Sequence, residues 1–302
     1  MAHILCVGIA TLDQVFAVDA MPDRPEKYRA HDLVVTTGGT AANAAVAIAR
    51  LGGKASFFGA LGDDRLGDQI VAGLEREGVG CAGVCRIAGR RSPLSAILVD
   101  RAGERMVISY SDPELPGATA TLPNRLSAGV GAVLGDTRWQ AGSAHIFRLA
   151  REAGVPAVLD GDRAPREHPG VLELATHVAF STQGLRDLSG SDDPRAGLES
   201  LPASASWFAV TNGAAGVFFR DGGVIAHEPA FAIEAVDTLG AGDIWHGAFA
   251  LALAEGEDER EAVRFASAAA AIKCTRFGGR DGAPSRADVE AFLAARAAPA
   301  LV

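Results

Sequence analysis

The sequence predicts an α/β fold: a three-layer α/β/α sandwich with a central, mainly parallel sheet and a small β-sheet lid. Short apolar runs alternate with helical stretches such as 142–153, and the runs lie at 130–135, 155–160, 177–180 and 207–211. This alternation is typical of βαβ units, which build parallel sheets covered by helices on both faces. The chain has 302 residues, 48% of them hydrophobic, which suffices for one large core.

The remaining elements of the large domain follow the same rhythm. The apolar run Ile4–Ala10 fits a buried first strand. The Ala-rich stretch 41–51 predicts a helix stopped by two glycines, and a strand is expected over 55–60. A second helix is expected to end near Glu77. The last third predicts three more helices, over 243–254, 258–273 and 286–297.

Two separated segments predict the lid. Residues 95–100 and 105–110 are strand-like and flank a turn-like link, which is typical of a β-hairpin. β-Branched residues near the end of 11–37 predict further strand. We therefore assign 11–37 and 93–112 to the lid, and 1–10, 38–92 and 113–302 to the large α/β domain.

Charge and cysteine content exclude several classes of function. The formal net charge of −9 argues against nucleic-acid binding, because contact with a phosphate backbone requires a basic face. The four cysteines form no CxxC pair and have no histidine cluster beside them, so we expect no zinc site. No apolar stretch is long enough to span a membrane, and no signal peptide is recognised. These features favour a cytoplasmic protein acting on small molecules.

The strongest local motif is the string Asp237–Asp243, which precedes an apolar helix. Its glycines, Gly240 and Gly242, allow a tight turn and close approach of a ligand. Unpartnered amides at a helix start, together with the helix dipole, bind anions. Asp243 in the first turn could accept a proton from an attacking hydroxyl during phosphoryl transfer. Taken alone, the motif fits an ordinary capped helix start equally well.

Three strings resemble the ribokinase-like (PfkB) carbohydrate kinases. Residues 237–243 match their C-terminal signature Asp-Thr-x-Gly-Ala-Gly-Asp, and 38–43 match their N-terminal signature Gly-Gly-x-x-x-Asn. Residues 211–216 match the family's nucleotide segment Thr-x-Gly-x-x-Gly. The strings keep the family's order and cover nearly the whole chain, so together they are far more specific than any one motif.

The resemblance implies the ribokinase-like fold and an ATP-dependent kinase that uses Mg²⁺. Asp243 would be the catalytic base, and an anion hole would be formed by the amides of Gly240, Ala241 and Gly242. The sugar would contact Asp13, Gly38, Gly39 and Asn43. The nucleotide would contact Thr211, Gly213, Gly216, Thr238 and Lys273, although an ordinary helix-end position is equally open for that lysine. The lid would cover the substrate and join two chains in a homodimer.

A narrower resemblance concerns the substrate. Among these kinases the chain is most similar to bacterial sulfofructose kinases, in the strings 26–28, 136–139, 159–162 and 273–280. It implies that Lys27 and Arg138 hold a sulfonate, with Ser109 where that group has an asparagine. The expected reaction moves the γ-phosphate of ATP to a primary hydroxyl of an acidic ketose, with 6-deoxy-6-sulfofructose giving its 1-phosphate.

Departures from the family pattern leave alternatives open. Ser181-Thr182-Gln183-Gly184 stands where relatives have Asn-x-x-Glu, which is thought to help place Mg²⁺, so we assign no metal ligand. Fructose 6-phosphate, tagatose 6-phosphate, 2-keto-3-deoxygluconate or a nucleoside would also fit the fold. A sugar- or nucleotide-binding relative without catalysis is the third possibility.

Overall fold

The computed structural model describes residues 1–115, 121–202 and 206–297; the end of the predicted large domain, 298–302, lies outside them. The strands within these ranges are β1 (His3–Val7), β2 (Thr11–Ala17), β3 (Asp32–Gly38), β4 (Lys54–Phe58), β5 (Ala60–Gly62), β6 (Cys85–Ile87), β7 (Leu94–Val99), β8 (Arg105–Tyr110), β9 (Val130–Asp136), β10 (Ala157–Gly161), β11 (His177–Ser181), β12 (Trp207–Thr211), β13 (Val217–Asp221) and β14 (Val224–Glu228). The α-helices are α1 (Thr40–Arg50), α2 (Arg65–Arg76), α3 (Gln140–Ala153), α4 (Val171–Leu174), α5 (Thr182–Ser189), α6 (Pro194–Ser200), α7 (Ala241–Glu255), α8 (Glu259–Cys274) and α9 (Arg286–Ala297).

The central sheet has eight strands in the order β14-β13-β12-β11-β10-β9-β1-β4. From β12 to β4 all neighbours are parallel. The two strands beyond β12 are antiparallel. The prediction of a mainly parallel sheet is therefore confirmed. Because parallel strands all run the same way, their carboxyl ends meet at one edge of the sheet, where open α/β sheets bind ligands.

Each face of this sheet carries its own hydrophobic core, as the three-layer prediction requires. Alternate residues of β1 divide between the two cores, with Ile4 and Cys6 on one side and Leu5 and Val7 on the other. The first core contains the Ala-rich helices α1, α7 and α8. The second contains α3 with side chains from α5 and α6. No helix in the described residues is long and apolar enough to cross a bilayer.

Small residues let α1 and α7 pack closely. A Cβ added at Gly247 of α7 would lie 2.5 Å from the carbonyl oxygen of Ala44 in α1. Any larger residue would therefore push the helices apart. Since these helices begin with the two signature strings, their close packing sets the distance between those strings.

A separate four-stranded sheet, in the order β3-β2-β7-β8, is built from both segments predicted for the lid. β2 pairs antiparallel with β3 and parallel with β7, and β7–β8 is the predicted hairpin. The strand predicted over 55–60 instead ends at Phe58, the last residue of β4. β5 then pairs with β6 in a small third sheet. Gly59 lies between β4 and β5, and a Cβ at this position would lie 2.8 Å from the Gly8 carbonyl oxygen.

Candidate active site

Asp243 lies in the first turn of α7, close to the side-chain amide of Asn43. The Nδ2 of Asn43 donates to Asp243 Oδ2 over 2.7 Å, so the two signature strings meet in space. Burial raises the pKa of Asp243 to about 8, with the charge of Asp160 adding to the rise and the Asn43 hydrogen bond opposing it. A carboxyl with this pKa ionises near neutral pH, which suits a general base.

The tip of α7 has the geometry of an anion site. Gly240 caps the helix with φ 76°, a conformation that favours glycine. Among the described residues no hydrogen-bond acceptor is found for the backbone amides of Gly240, Gly242 and Asp243. The amide of Ala241 instead donates to the carbonyl of Thr238 over 3.2 Å. The predicted three-amide hole therefore has one member already engaged in a turn.

Asp237 fastens the loop before this tip. Its carboxylate accepts from the backbone amide of Leu239 at 2.8 Å and from those of Gly278 and Gly279 at 3.1 and 2.9 Å. The Lys273 ammonium donates to the Asp237 carbonyl at 2.7 Å and lies 3.0 Å from its carboxylate. The Lys273 side chain is fully buried. Its predicted contact with the nucleotide stays a prediction, because the ammonium faces the loop.

Asp13 lies in strand β2 of the lid, next to the first signature string, residues 38–43. Thr11 Oγ1 donates to Asp13 Oδ1 over 2.7 Å, and burial raises the pKa of this carboxyl while hydrogen bonds oppose the rise. A Cβ at Gly38 would lie 1.8 Å from Asp13 Oδ2. Gly39 has φ 98°, and a Cβ there would lie 2.5 Å from the Ile9 carbonyl oxygen. Both glycines are required by the geometry of the site.

The strand register places Ser109 on the same face of the lid as Asp13, with Ser95 between them. Asp13 is paired with Ser95, and Ser95 with Ser109, so the three side chains share the inner face of the lid. Residues Val15 and Val34 on the same face line a cavity with Phe277 from the large domain. The same cavity is lined by Asp237 and Leu239 of the loop that precedes α7 (237–240), which we call the anion loop. The inner face of the lid therefore faces this loop, as a lid over a substrate requires.

The two cations predicted to bind an anionic tail lie in different places. Arg138 follows the end of β9 and lines a cavity with Gly8, Ile9 and Ser111. Its guanidinium forms a short ion pair with Asp162. Lys27 is exposed in the lid segment between β2 and β3 and does not line this cavity. Within one described chain, the structure brings Arg138, but not Lys27, to the rim of the site.

Asp136 is a site residue that sequence reasoning missed. Its buried carboxylate accepts from the amides of Ile9, Arg138 and Trp139 at 2.8, 3.0 and 3.0 Å, and from Thr40 Oγ1 at 2.6 Å. It thus ties the end of β1 to the start of α1 and orients Arg138. The signal that could have identified it was its position at the end of a buried strand, two residues before that arginine.

Asp160 and His246 form a buried pair below the base. His246 Nδ1 lies 3.5 Å from Asp160 Oδ2 and 2.7 Å from the Gly242 carbonyl, while Nε2 lies 2.9 Å from the Ala179 carbonyl. Burial lowers the pKa of His246 and raises that of Asp160, whose neighbouring carboxylates add to the rise. The histidine is buried in the core one helical turn beyond the base.

The predicted nucleotide segment lies at the same sheet edge. Thr211 ends β12, and the exposed turn Gly213–Ala215 follows it. Gly216 has φ 89°, and a Cβ there would lie 2.2 Å from the Glu228 carbonyl. Thr238 accepts from Arg105 Nη1 of the lid over 3.1 Å, a contact that the sequence did not predict.

The segment that replaces Asn-x-x-Glu has a structural role. Ser181 Oγ donates to the Asp162 carbonyl and accepts from the Gly184 amide, each over 3.0 Å, and so caps α5. A Cβ at Gly184 would lie 1.9 Å from the Gly161 carbonyl. In the described part of the chain no group of three or more His, Cys, Asp or Glu side chains could hold a metal ion.

A helix tip with unpaired amides beside a carboxylate of raised pKa, covered by a small β-sheet, defines an enzyme that transfers a charged group to a hydroxyl. Residues 1–286 match the family model described as pfkB family carbohydrate kinase. The chain belongs to this family, whose members phosphorylate a hydroxyl group of a sugar. The predicted ribokinase-like fold and enzyme class are confirmed.

Two relatives and one solved structure show the extent of the similarity. The chain is 28% identical to a ribokinase of Bacillus subtilis (strain 168), over 97% of this chain and 100% of the relative. It is 30% identical to an ATP-dependent ribose-1-phosphate kinase of Halopiger xanaduensis, over 98% and 99%. A crystal structure of a candidate ribokinase from Agrobacterium tumefaciens superposes with a TM-score of 0.90 and 39% identity, over 99% of each chain.

Proposed function

We propose that this enzyme uses ATP to phosphorylate a primary hydroxyl of an acidic ketose, with 6-deoxy-6-sulfofructose to its 1-phosphate as the leading reaction. The observation that carries the kinase chemistry is Asp243, hydrogen-bonded to Asn43 beside the unpaired amides of α7. The observation that supports an acidic substrate is the Arg138 guanidinium in the cavity lined by Gly8 and Ile9.

In this mechanism Asp243 accepts the proton of the attacking hydroxyl. Asp13 orients the sugar by accepting hydrogen bonds from its other hydroxyls. The amides of Gly240 and Gly242 receive the oxygens of the migrating phosphoryl group and stabilise the charge that spreads over them. The hydroxyl oxygen forms the new P–O bond as the bond to the ADP oxygen breaks.

ATP and Mg²⁺ are part of the proposal. Thr211 ends β12, Gly213 and Gly216 follow it, and Thr238 lies two residues before the cap of α7, positions that support nucleotide binding there. Mg²⁺ keeps several waters and binds through few carboxylates together with substrate phosphates. Asp162, which follows β10 and is partly exposed, would hold such an ion, whereas the buried Asp160 is paired with His246. The ion would neutralise phosphate charge when bound.

Arg138 is the residue that should select an acidic tail. Its planar guanidinium suits bidentate binding of sulfonate or phosphate oxygens. In the structure it is paired with Asp162, so the anion has to displace this carboxylate. Lys27 would add a second charge only if the exposed lid segment approaches the site.

An ADP-release assay with Mg-ATP tests the proposal. The screen includes sulfofructose, fructose 6-phosphate, fructose and ribose, because the relatives are named ribokinases and fructokinases. We expect the largest kcat/KM for sulfofructose. In the Lys27→Ala/Arg138→Ala double variant, kcat/KM for that substrate should fall tenfold or more, whereas kcat/KM for neutral sugars should not change. A tenfold loss corresponds to about one lost hydrogen bond to a charged group.

Other outcomes separate the alternatives. If turnover is fastest with ribose or fructose and insensitive to the double variant, the substrate has no acidic tail. If a sugar raises the melting temperature but releases no ADP, the protein binds without catalysis. Arg148→Ala, on the helix α3, is the control for a general loss of positive charge.

The lid also supports the proposed homodimer. Its outer face carries exposed apolar side chains on the two edge strands, β3 and β8, with the half-buried Phe16 and Leu98 between them: Leu33, Val35, Met106, Ile108 and Tyr110. Their burial against a second copy would remove this apolar area from water. Sedimentation should give a dimer, and Ile108→Glu should give a monomer; a monomeric wild-type protein would refute the dimer.

A further inference from the structure

The ammonium of Lys273 is a buried positive charge that nearby oxygen atoms have to compensate. Its side chain is fully buried at the end of α8, where an isolated ammonium would be strongly destabilised. Two oxygen atoms of one residue, Asp237, compensate this charge, the carbonyl at 2.7 Å and the carboxylate at 3.0 Å. The ammonium is thus joined to the loop that precedes the anion site, six residues before the base.

The same aspartate is the centre of a larger backbone junction. Its carboxylate holds the amides of Leu239, Gly278 and Gly279. The amides of Val236 and Asp237 donate to the Cys274 carbonyl at 2.8 and 3.1 Å. Two chain segments therefore meet on Asp237. Burial raises the pKa of this carboxyl, but the amides of Gly279 and Leu239 together with the Lys273 ammonium outweigh that effect and keep the carboxylate ionised and in place.

The junction determines where the amides at the helix tip point. Asp237 fixes the amide of Leu239, and the Thr238 carbonyl next to it accepts the amide of Ala241. These short links leave the loop little freedom before Gly240, the left-handed cap of α7. A phosphate group that binds at this tip meets donors already in position, and such preorganisation lowers the cost of binding.

We propose that Lys273 is a positioning residue for phosphoryl transfer, an internal cation that holds the Asp237 loop so that the α7 amides can receive phosphate. This role differs from direct contact with the nucleotide. It builds on the kinase chemistry and is independent of which sugar is the substrate.

The test uses the full chain with Lys273→Met, which keeps the unbranched side chain up to the Cε position and removes the charged ammonium. The probe is Mg-ATP alone, measured by calorimetry, so that the result does not depend on the proposed sugar. We expect ATP affinity to fall about tenfold, the equivalent of a lost charge-assisted hydrogen bond. With the sugar found to be turned over, kcat should fall by a similar factor while the KM for that sugar stays within about twofold.

Chemical rescue distinguishes positioning from a structural effect. Propylammonium matches the atoms that Lys273→Ala removes, and it should restore at least half of the lost ATP affinity, whereas propanol should not. Arg276→Met is the matched control, because Arg276 is a nearby cation that pairs with Asp288 at the surface. It should bind ATP like the wild type.

If Lys273→Met fails to fold, Lys273→Gln provides the same comparison with a polar side chain. Wild-type ATP affinity and kcat in either folded, uncharged variant would overturn the proposal. So would equal recovery with propylammonium and propanol, since the cavity rather than the charge would then matter.

Discussion

Asn43 donates a 2.7 Å hydrogen bond to Asp243, a residue 200 positions further along the chain. The amide thus reaches the base from the start of α1, and α1 packs directly on α7. The bond favours the ionised form of a carboxyl whose pKa burial raises to about 8. This arrangement makes the base both oriented and titratable near neutral pH.

Asp243→Asn should abolish most of the turnover. The amide cannot accept the proton, so we expect kcat to fall by about 10²–10⁴, the usual contribution of a general base. ATP affinity should stay near the wild-type value or improve, because a negative charge beside the phosphates is removed. Steady-state kinetics and calorimetry measure the two effects, and a variant with unchanged kcat would exclude Asp243 as the base.

The pH dependence of kcat/KM should show a rising limb with a midpoint of about 8. The base accepts a proton only when ionised, so activity increases as the pH passes through its pKa. Asn43→Ala removes a hydrogen bond to the ionised form, which should move the limb upwards by about one pH unit. A limb below pH 5 in the wild type would contradict this assignment.

Gly38→Ala should damage sugar binding selectively. The new methyl group would overlap the Asp13 carboxylate, with 1.8 Å between Cβ and Oδ2, and overpacking of this kind costs about 1–3 kcal/mol. We expect the KM for the sugar to rise about tenfold or more, with ATP affinity unchanged. Gly170→Ala is the control, since Gly170 has φ −63° and open space around it.

Arg105→Ala should weaken closure of the lid. The side chain reaches from β8 to Thr238 of the anion loop, and an exposed hydrogen bond of this kind contributes about 0.5–1.5 kcal/mol. The sugar KM should rise about two- to tenfold. Arg101→Ala, at the tip of the same hairpin, breaks only a pair with Asp19 inside the lid and should have little effect. Equal effects of the two substitutions would show that the hydrogen bond between Arg105 and Thr238 does not contribute to closure of the lid.

Local sequence signals predicted much of this molecule. The Ala-rich stretch and its glycine stop located α1, and α7, α8 and α9 were placed within two residues at each end, because periodicity and caps are encoded nearby. The strand over 55–60 was predicted as one element, although it divides between two sheets. That division depends on the strands with which each part pairs, β1 for β4 and β6 for β5, which are remote in sequence.

The site was harder to predict for the same reason. The motifs identified Asp243 and Asn43, but not the hydrogen bond between them. Asp136 and Arg105 were missed because their roles come from partners brought near by the sheet and the lid, Thr40 and Thr238. Arg138 was identified, yet its pairing with Asp162 could not be, since side-chain pairs across strand ends carry no local signature.

Helix α7, which carries Asp243 in its first turn, is buried from Ile244 to Ala252. Amide protons in such a helix exchange with solvent mainly when the whole molecule opens. The helix behind the phosphate side of the site therefore belongs to the core, whereas Asp13 belongs to a thin sheet whose edge strands carry exposed side chains. Sugar entry and product departure must then be timed by the thin sheet, and a drug that stiffens it would slow the enzyme without touching the nucleotide.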